Sequence, residues 1–253
     1  MSKSLIVQKY GGTSLGTLER IEHVADRIVK VQKTGIDIVV VVSAMAGETD
    51  KLLKMAHSLS KNPARREVDM LLSSGERISA ALLALALQSR GIPAFSMTGR
   101  QIGLQTDSTH TRARITNIDT RRARKMLNEN HVIVVAGFQG INEEGDVTTL
   151  GRGGSDTSAV ALSVALGARQ CEIYTDVDGV YTTDPRMVPQ AKRLDVVSYD
   201  EMLEMAGLGA KVLQTRCVEF AHKYKMPLIV KSSFKEKEEN KGTLICEEDP
   251  KME

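Results

Sequence analysis

The sequence has no run of about 18 apolar residues and no signal-peptide pattern, so neither a membrane span nor a secretory leader is expected, and a cytoplasmic protein is. Cysteine is sparse. Cys171, Cys217 and Cys246 lie far apart with no C-x-x-C pair, which argues against a disulfide framework and for buried thiols in a reducing compartment. An excess of one charge is also missing. Lys and Arg number 34 against 32 Asp and Glu, a net charge of +2, which gives no electrostatic footprint for a nucleic-acid partner. The dense basic cluster Arg121-Arg122-Ala123-Arg124-Lys125 falls on a predicted helix and reads as a solvated face. No internal repeat is visible. What remains is an ordinary globular composition, 42% apolar, in 253 residues, enough for one large domain or two lobes around a cleft.

The familiar nucleotide motifs are absent too. Nothing fits the P-loop pattern of Gly, four residues, then Gly-Lys-Ser/Thr. The dinucleotide fingerprint fails at Gly151-Arg152-Gly153-Gly154-Ser155-Asp156, where Asp156 stands in place of the third glycine. Asp176 and Asp178 lack the spacing and terminal Glu of a calcium loop. Two glycine-rich loops are nevertheless present. The first of these, Gly151 to Asp156, opens into a small-residue apolar run, Thr157 to Leu166, that reads as a helix. Free N–H groups and the positive end of a helix dipole then converge on one point, which suits an anion, and Arg152 can clamp a carboxylate bidentately. Lys9-Tyr10-Gly11-Gly12-Thr13-Ser14 forms the other. Two anion sites in one chain suit phosphoryl transfer from a nucleotide to an acidic acceptor. Ordinary tight turns of an α/β protein are the plain alternative.

Apolar runs alternate with helical patterns. Leu5 to Val7 reads as a strand entering the Lys9 loop, and Leu18, Ile21, Ala25 and Ile28 form the apolar face of a helix. Ile36 to Val42 is apolar on both faces, as a central parallel strand is. A helical region over 67–90 is expected to be interrupted at Ser73-Ser74-Gly75-Glu76. Strands are expected at 94–97, 132–136, 171–175, 228–231 and 243–245, and a hairpin from 138–141 and 147–150. Helices are expected at 199–206 and 210–224, and the charged stretch 235–241 reads as a mobile loop. This β-α-β rhythm predicts a mostly parallel sheet covered by helices on both faces. The loops after the strands ending near Val7, Val42, Ala136 and Thr175 then converge at the carboxyl edge, where open α/β sheets bind ligands.

In this order, Lys9 to Ser14, Ser43-Ala44-Met45, Leu72-Ser73-Ser74-Gly75-Glu76-Arg77, Gly151 to Asp156, Thr175 to Arg186 and Gly209-Ala210-Lys211-Val212-Leu213 resemble the amino acid kinase family, and within it the catalytic domains of the aspartate kinases. The resemblance covers nearly the whole chain. It implies the amino acid kinase fold, an open, mostly parallel sheet sandwiched by helices. The implied lobes are an N-terminal amino-acid lobe at about 1–150 and a C-terminal nucleotide lobe at about 151–253. The implied reaction is ATP plus L-aspartate giving ADP plus 4-phospho-L-aspartate, with Mg2+, the first step toward lysine, threonine and methionine. Such proteins usually continue into paired ACT domains. This chain stops at Glu253, about where those begin, so a kinase domain without an ACT domain is expected. The resemblance also implies a homo-oligomer, with any ACT domains or regulatory subunits outside this chain.

An acceptor carboxylate is already ionised at neutral pH, so no general base is needed and catalysis rests on positioning and charge neutralisation. His23, His57, His110, His131 and His222 accordingly lie outside the motif set and read as structural or surface. The resemblance makes Lys9, Asp156 and Lys211 catalytic. Lys9 would meet the transferring phosphoryl group, Lys211 would reach the nucleotide phosphates from the other lobe, and Asp156 would organise the ammoniums and touch the metal through water. Lys9, Gly11, Gly12, Ser14, Thr175, Asp176, Tyr181, Arg186 and Lys211 are implied nucleotide contacts, with Gly11 and Gly12 offering N–H groups. In the aspartate pocket, Arg152 would grip the α-carboxylate and Glu76 face the α-ammonium, with Ser43, Thr49, Ser155 and Phe138 completing the walls. From the residues alone, Glu76 reads as a helix-surface carboxylate, Lys211 as a surface lysine, Phe138 as a core aromatic and Asp156 as a dipole-favoured helix start. Two other functions stay open. One is another acylphosphate-forming kinase of this fold, acting on N-acetylglutamate or glutamate; Glu76 speaks against an acetylated amine, which carries no charge to pair with it. The other is a non-catalytic nucleotide-binding subunit, against which the set Lys9, Asp156 and Lys211 speaks.

Overall fold

The computed structural model describes residues 3–210, 212–235 and 241–248. The strands are β1 (Leu5–Tyr10), β2 (Asp37–Val42), β3 (Ala94–Met97), β4 (Leu104–Thr106), β5 (Ile115–Ile118), β6 (Val132–Ala136), β7 (Gln139–Ile141), β8 (Val147–Thr149), β9 (Cys171–Thr175), β10 (Val180–Tyr181), β11 (Arg193–Leu194), β12 (Val196–Ser198), β13 (Leu228–Ser232) and β14 (Thr243–Cys246). The helices are α1 (Leu18–Gln32), α2 (Glu48–Leu59), α3 (Arg65–Gln88), α4 (Gly99–Ile102), α5 (Arg121–Asn128), α6 (Gly154–Leu166), α7 (Tyr199–Gly207) and α8 (Thr215–Lys223).

Among the described residues, eight strands form one sheet in the order β12-β14-β13-β9-β1-β2-β6-β3. Its pairs are parallel except β13 with β14. Alternation along the strands divides the core. Ile38, Val40 and Val42 of β2 pack with α1 and α3 on one face. Val39 and Val41 pack with α5, α6, α7 and α8 on the other. α6 is buried around its whole circumference, which its apolar small-residue sequence permits. The expected open, two-faced sheet is therefore the architecture. The β7–β8 hairpin also forms, in a four-stranded side sheet ordered β5-β4-β7-β8.

Several local expectations change. α3 runs without a break through Ser73–Glu76. The Ser73 and Ser74 hydroxyls bond back to the carbonyls of Met70 and Leu71, so these polar residues are satisfied within the helix. Gly75 serves close packing and does not interrupt the chain: a Cβ there would lie 2.7 Å from the Ala44 Cβ. α2 had no clear signal, because only Leu52 and Ala56 of its residues are buried. Leu18 is 59% exposed, and Val24 joins Ile21, Ala25 and Ile28 in the core. α8 begins at Thr215, later than the expected 210. Residues 236–240 of the charged stretch lie outside the described residues. α3 is long and apolar enough to cross a membrane by length and composition, yet half of that apolar window is buried inside the fold. No disulfide joins the cysteines; burial pushes the Cys171 thiol up to about 12.

Candidate functional site

The order β9-β1-β2-β6 brings four parallel carboxyl ends side by side, so the loops after them share one edge. Residues on β1 alternate between faces. Ile6 and Tyr10 join the α1/α3 side, while Val7 joins the α6 side. Lys9 has the parity of Val7 and is carried toward α6. There its Nζ lies 2.6 Å from Oδ1 of Asp156, in the first turn of that helix, with side-chain exposures of 10% and 12%. Two charges this deep are favourable only when paired. The bond network around them is specific. Gly153, in a left-handed conformation (φ +72°), starts α6, and the Gly154 amide donates to the Gly151 carbonyl. The Ser155 and Asp156 amides have no acceptor among the described residues. The α6 N-terminus therefore offers donors beside the Lys9 ammonium.

The Lys9 loop differs in detail from expectation. The Gly11 amide is not free: it donates to the Tyr174 carbonyl at 3.1 Å, extending the β1–β9 ladder. The Gly12 amide has no acceptor among the described residues, and a Cβ on Gly12 would lie 2.9 Å from the Ala44 carbonyl oxygen. Ser14 is fully buried and its hydroxyl donates to Ser233 Oγ at 2.8 Å. Ser14 thus ties the loop to the residue that follows β13. Ser233 in turn binds the Thr175 carbonyl through both its amide and its hydroxyl, so the loops after β1 and β9 are held together.

On the other side of Gly12 lies Glu76. It is 4% exposed, so it is no surface carboxylate. Its Oε1 accepts from the Ala44 amide at 3.1 Å, while Oε2 is buried with no hydrogen-bond partner. Burial raises the carboxyl to about 7, opposed in part by the Ala44 amide. A buried polar atom left unsatisfied in this way marks a missing partner. Ser43, which donates its amide to the Tyr10 carbonyl, and Thr49, in the first turn of α2, are half-buried nearby in the chain. Phe138 takes a left-handed backbone (φ +70°), unusual for an aromatic and the kind of strain that functional sites retain. Its amide donates to Ser158 Oγ, its carbonyl accepts from Leu150, and its ring packs on Leu52, Ala56, Val68 and Leu72. Ser155 is buried, with its Cβ 3.1 Å from where a Gly137 Cβ would stand. Arg152 is exposed and forms no ion pair with the described residues.

Past β9, the Thr175 hydroxyl donates to the exposed Asp176, and Tyr181 donates to Asp178 Oδ1 at 2.8 Å. Lys235 Nζ lies 2.7 Å from Asp178 Oδ2. Arg186 is exposed and pairs with Asp184 at 2.8 Å, within one loop. Lys211 lies outside the described residues. The sequence reading did not single out Ala44 as a site residue, although it contacts Gly12 and its amide holds Glu76. A separate cavity of about 260 Å3, lined by Arg114, Thr157, Arg216 and Lys223 among others, contains none of the predicted site residues.

The sequence profile of the amino acid kinase family matches residues 4–232. The aspartate kinase of Stutzerimonas stutzeri strain A1501 is 57% identical over 251 residues, 99% of this chain and 60% of its own length. A crystal structure of aspartate kinase from Synechocystis superposes with a TM-score of 0.86 at 51% identity, covering 97% of this chain and 40% of that one. E. coli aspartokinase III, crystallised with aspartate and ADP, gives a TM-score of 0.84 at 30% identity, covering 97% of this chain and 65% of that one. This chain thus spans about three fifths of the curated relatives it matches. The chain belongs to the amino acid kinase family.

Proposed function

We propose that the protein phosphorylates the side-chain carboxylate of L-aspartate with ATP, giving 4-phospho-L-aspartate and ADP. The observation that carries this reading is the buried, unpartnered Oε2 of Glu76 at the same sheet edge as the Lys9–Asp156 pair. A carboxylate pushed toward neutrality by burial needs a cation to ionise, and an α-ammonium supplies one. The free Arg152 guanidinium suits the α-carboxylate of the same molecule. Relatives support the choice of amino acid: the E. coli enzyme at 30% identity binds aspartate and ADP.

In this reading the aspartate side-chain oxygen attacks the γ-phosphorus while the bond to the β-phosphate oxygen breaks and its electron pair leaves with ADP. The acceptor is ionised, so no proton is moved. Lys9 and the α6 amides neutralise charge on the transferring group, and Asp156 fixes the Lys9 ammonium in place. Glu76 and Arg152 orient the acceptor, with Ser43, Thr49, Ser155 and Phe138 around it. Gly12, Thr175, Asp176, Tyr181 and Lys211 are proposed nucleotide contacts, and Asp178 with Lys235 is added to them. Asp156, a buried carboxylate in the first turn of α6, would hold through water a Mg2+ that arrives on the phosphates. When bound, such an ion shields phosphate charge.

Trapping acylphosphate with hydroxylamine in the presence of ATP and either L-aspartate, L-glutamate or N-acetyl-L-glutamate tests the reading. Product with aspartate alone is expected. Product only with N-acetylglutamate, or with none of the three, removes it.

A further inference from the structure

A second buried carboxylate lies on the face of α3 that carries Glu76. Asp69 precedes Glu76 by two helical turns and is fully buried. It is saturated where Glu76 is not. His110 Nδ1 lies 2.7 Å from its Oδ2, the Thr111 amide donates to both oxygens at 3.1 and 3.0 Å, and the Thr149 hydroxyl donates to Oδ1. These donors come from two separate segments, the loop after β4 and the end of β8. Thr111 is held in a left-handed backbone (φ +70°), and Gly151 is fitted against it: a Cβ on Gly151 would lie 3.0 Å from the Thr111 carbonyl oxygen. The Ala113 amide donates to the Thr149 carbonyl, and Arg216 bridges the carbonyls of Leu150 and Ala113. Arg152 emerges directly from this knot.

We propose that Asp69, acting through His110, Thr111 and Thr149, is a positioning residue that sets the distance between Arg152 and Glu76. The inference rests on the reading of those two groups as the clamps for the carboxylate and ammonium of one amino acid. One rigid helix holds Glu76 directly and holds Arg152 through Asp69, so the span between the clamps is fixed by α3. The opposite charges of the clamps exclude a dicarboxylate or a diamine, and a fixed span selects an α-amino acid over one whose ammonium lies further from its carboxylate.

His110, with 18% of its side chain exposed on a loop, is the residue to change, because Asp69 itself is in the packed core. His110→Ala removes the donor; His110→Asn returns an N–H near the Nδ1 position. In His110→Ala the KM for L-aspartate should rise about tenfold, while kcat and the KM for ATP stay within about twofold. His110→Asn should recover most of the loss. Independently of turnover, amide exchange across 107–113 and 150–152 should quicken about tenfold in His110→Ala and return in His110→Asn. Unchanged exchange overturns the inference, and so does a parallel rise in both KM values. An unmutated protein that fails to phosphorylate aspartate sinks the functional reading instead, and the exchange comparison still decides whether Asp69 anchors the Arg152 loop.

Discussion

The Lys9 ammonium and the Asp156 carboxylate meet at 2.6 Å in a part of the molecule where neither has more than about an eighth of its side chain exposed. Each is the condition for burying the other, so catalysis and stability are coupled at this pair. Lys9→Ala should lower kcat by about a hundredfold or more. It should also destabilise the fold by about 3 kcal/mol, because Asp156 is left charged and unpaired. Adding Asp156→Asn should restore much of the stability and none of the turnover. Urea titrations and kcat measured on the parent and the two variants check this; a folded Lys9→Ala protein with unchanged kcat removes Lys9 from the chemistry.

Glu76 gives a prediction in pH. Its carboxyl sits near 7 in the ligand-free fold against an ordinary value of 4.5. An ammonium ligand requires the ionised form, so aspartate binding should strengthen as pH rises through about 7 and take up no further benefit above it. Glu76→Gln should flatten that dependence and raise the KM for aspartate by about tenfold or more, with the KM for ATP little changed. The stability of the ligand-free protein runs the other way. The raised value carries no linkage penalty below the unfolded value, and stability falls as pH climbs from about 4.5 to about 7. Ligand-free Glu76→Gln should therefore be more stable than the parent at pH 8, by up to about 3 kcal/mol. A variant less stable at pH 8 would show that Oε2 has a partner in the ligand-free protein.

Much of this site is legible in the sequence because its parts are local. Glycine loops after strands and a small-residue helix behind one of them are read directly, and β2, with β-branched residues on both faces, places the sheet. Lys9 beside Asp156 follows once strand parity is known. What escapes is the chemistry made by distant segments. Nothing in Ser73-Ser74-Gly75-Glu76 shows that the helix runs on or that Glu76 is buried under Ala44, because that depends on how closely α3 approaches the loop after β2. The Gly11 amide looks free until Tyr174 is placed opposite it. Asp69 and His110 have no motif at all; their pairing exists only in the folded chain.

Arg152 offers a contrast with Glu76. It is exposed and without an ion-pair partner among the described residues, so the fold gains little from it. Arg152→Lys keeps the charge and loses the planar fork. The KM for L-aspartate should rise about tenfold while stability stays within about 0.5 kcal/mol. Thermal melts beside aspartate titrations separate the two effects, and a loss of stability equal to the kinetic loss would make Arg152 structural.

Gly12 and Gly16 lie in one loop and allow a matched test of close packing. A Cβ on Gly12 would stand 2.9 Å from the Ala44 carbonyl oxygen, a backbone atom that can move only with the loop after β2. A Cβ on Gly16 would meet nothing nearer than 3.5 Å, and Gly16 already has the right-handed φ of −65° that alanine prefers. Gly16→Ala should therefore be neutral or slightly stabilising, since it narrows the unfolded ensemble. Gly12→Ala should cost about 1–3 kcal/mol from overpacking. Ala44 is also the residue whose amide holds Glu76, so its displacement should carry into the proposed amino-acid pocket. The KM for aspartate should rise along with a fall in kcat from the disturbed Lys9 loop. Equal stabilities and equal kinetics for the two variants would mean that the loop after β2 yields freely, and that the contact between Gly12 and Ala44 does not set the geometry of the site.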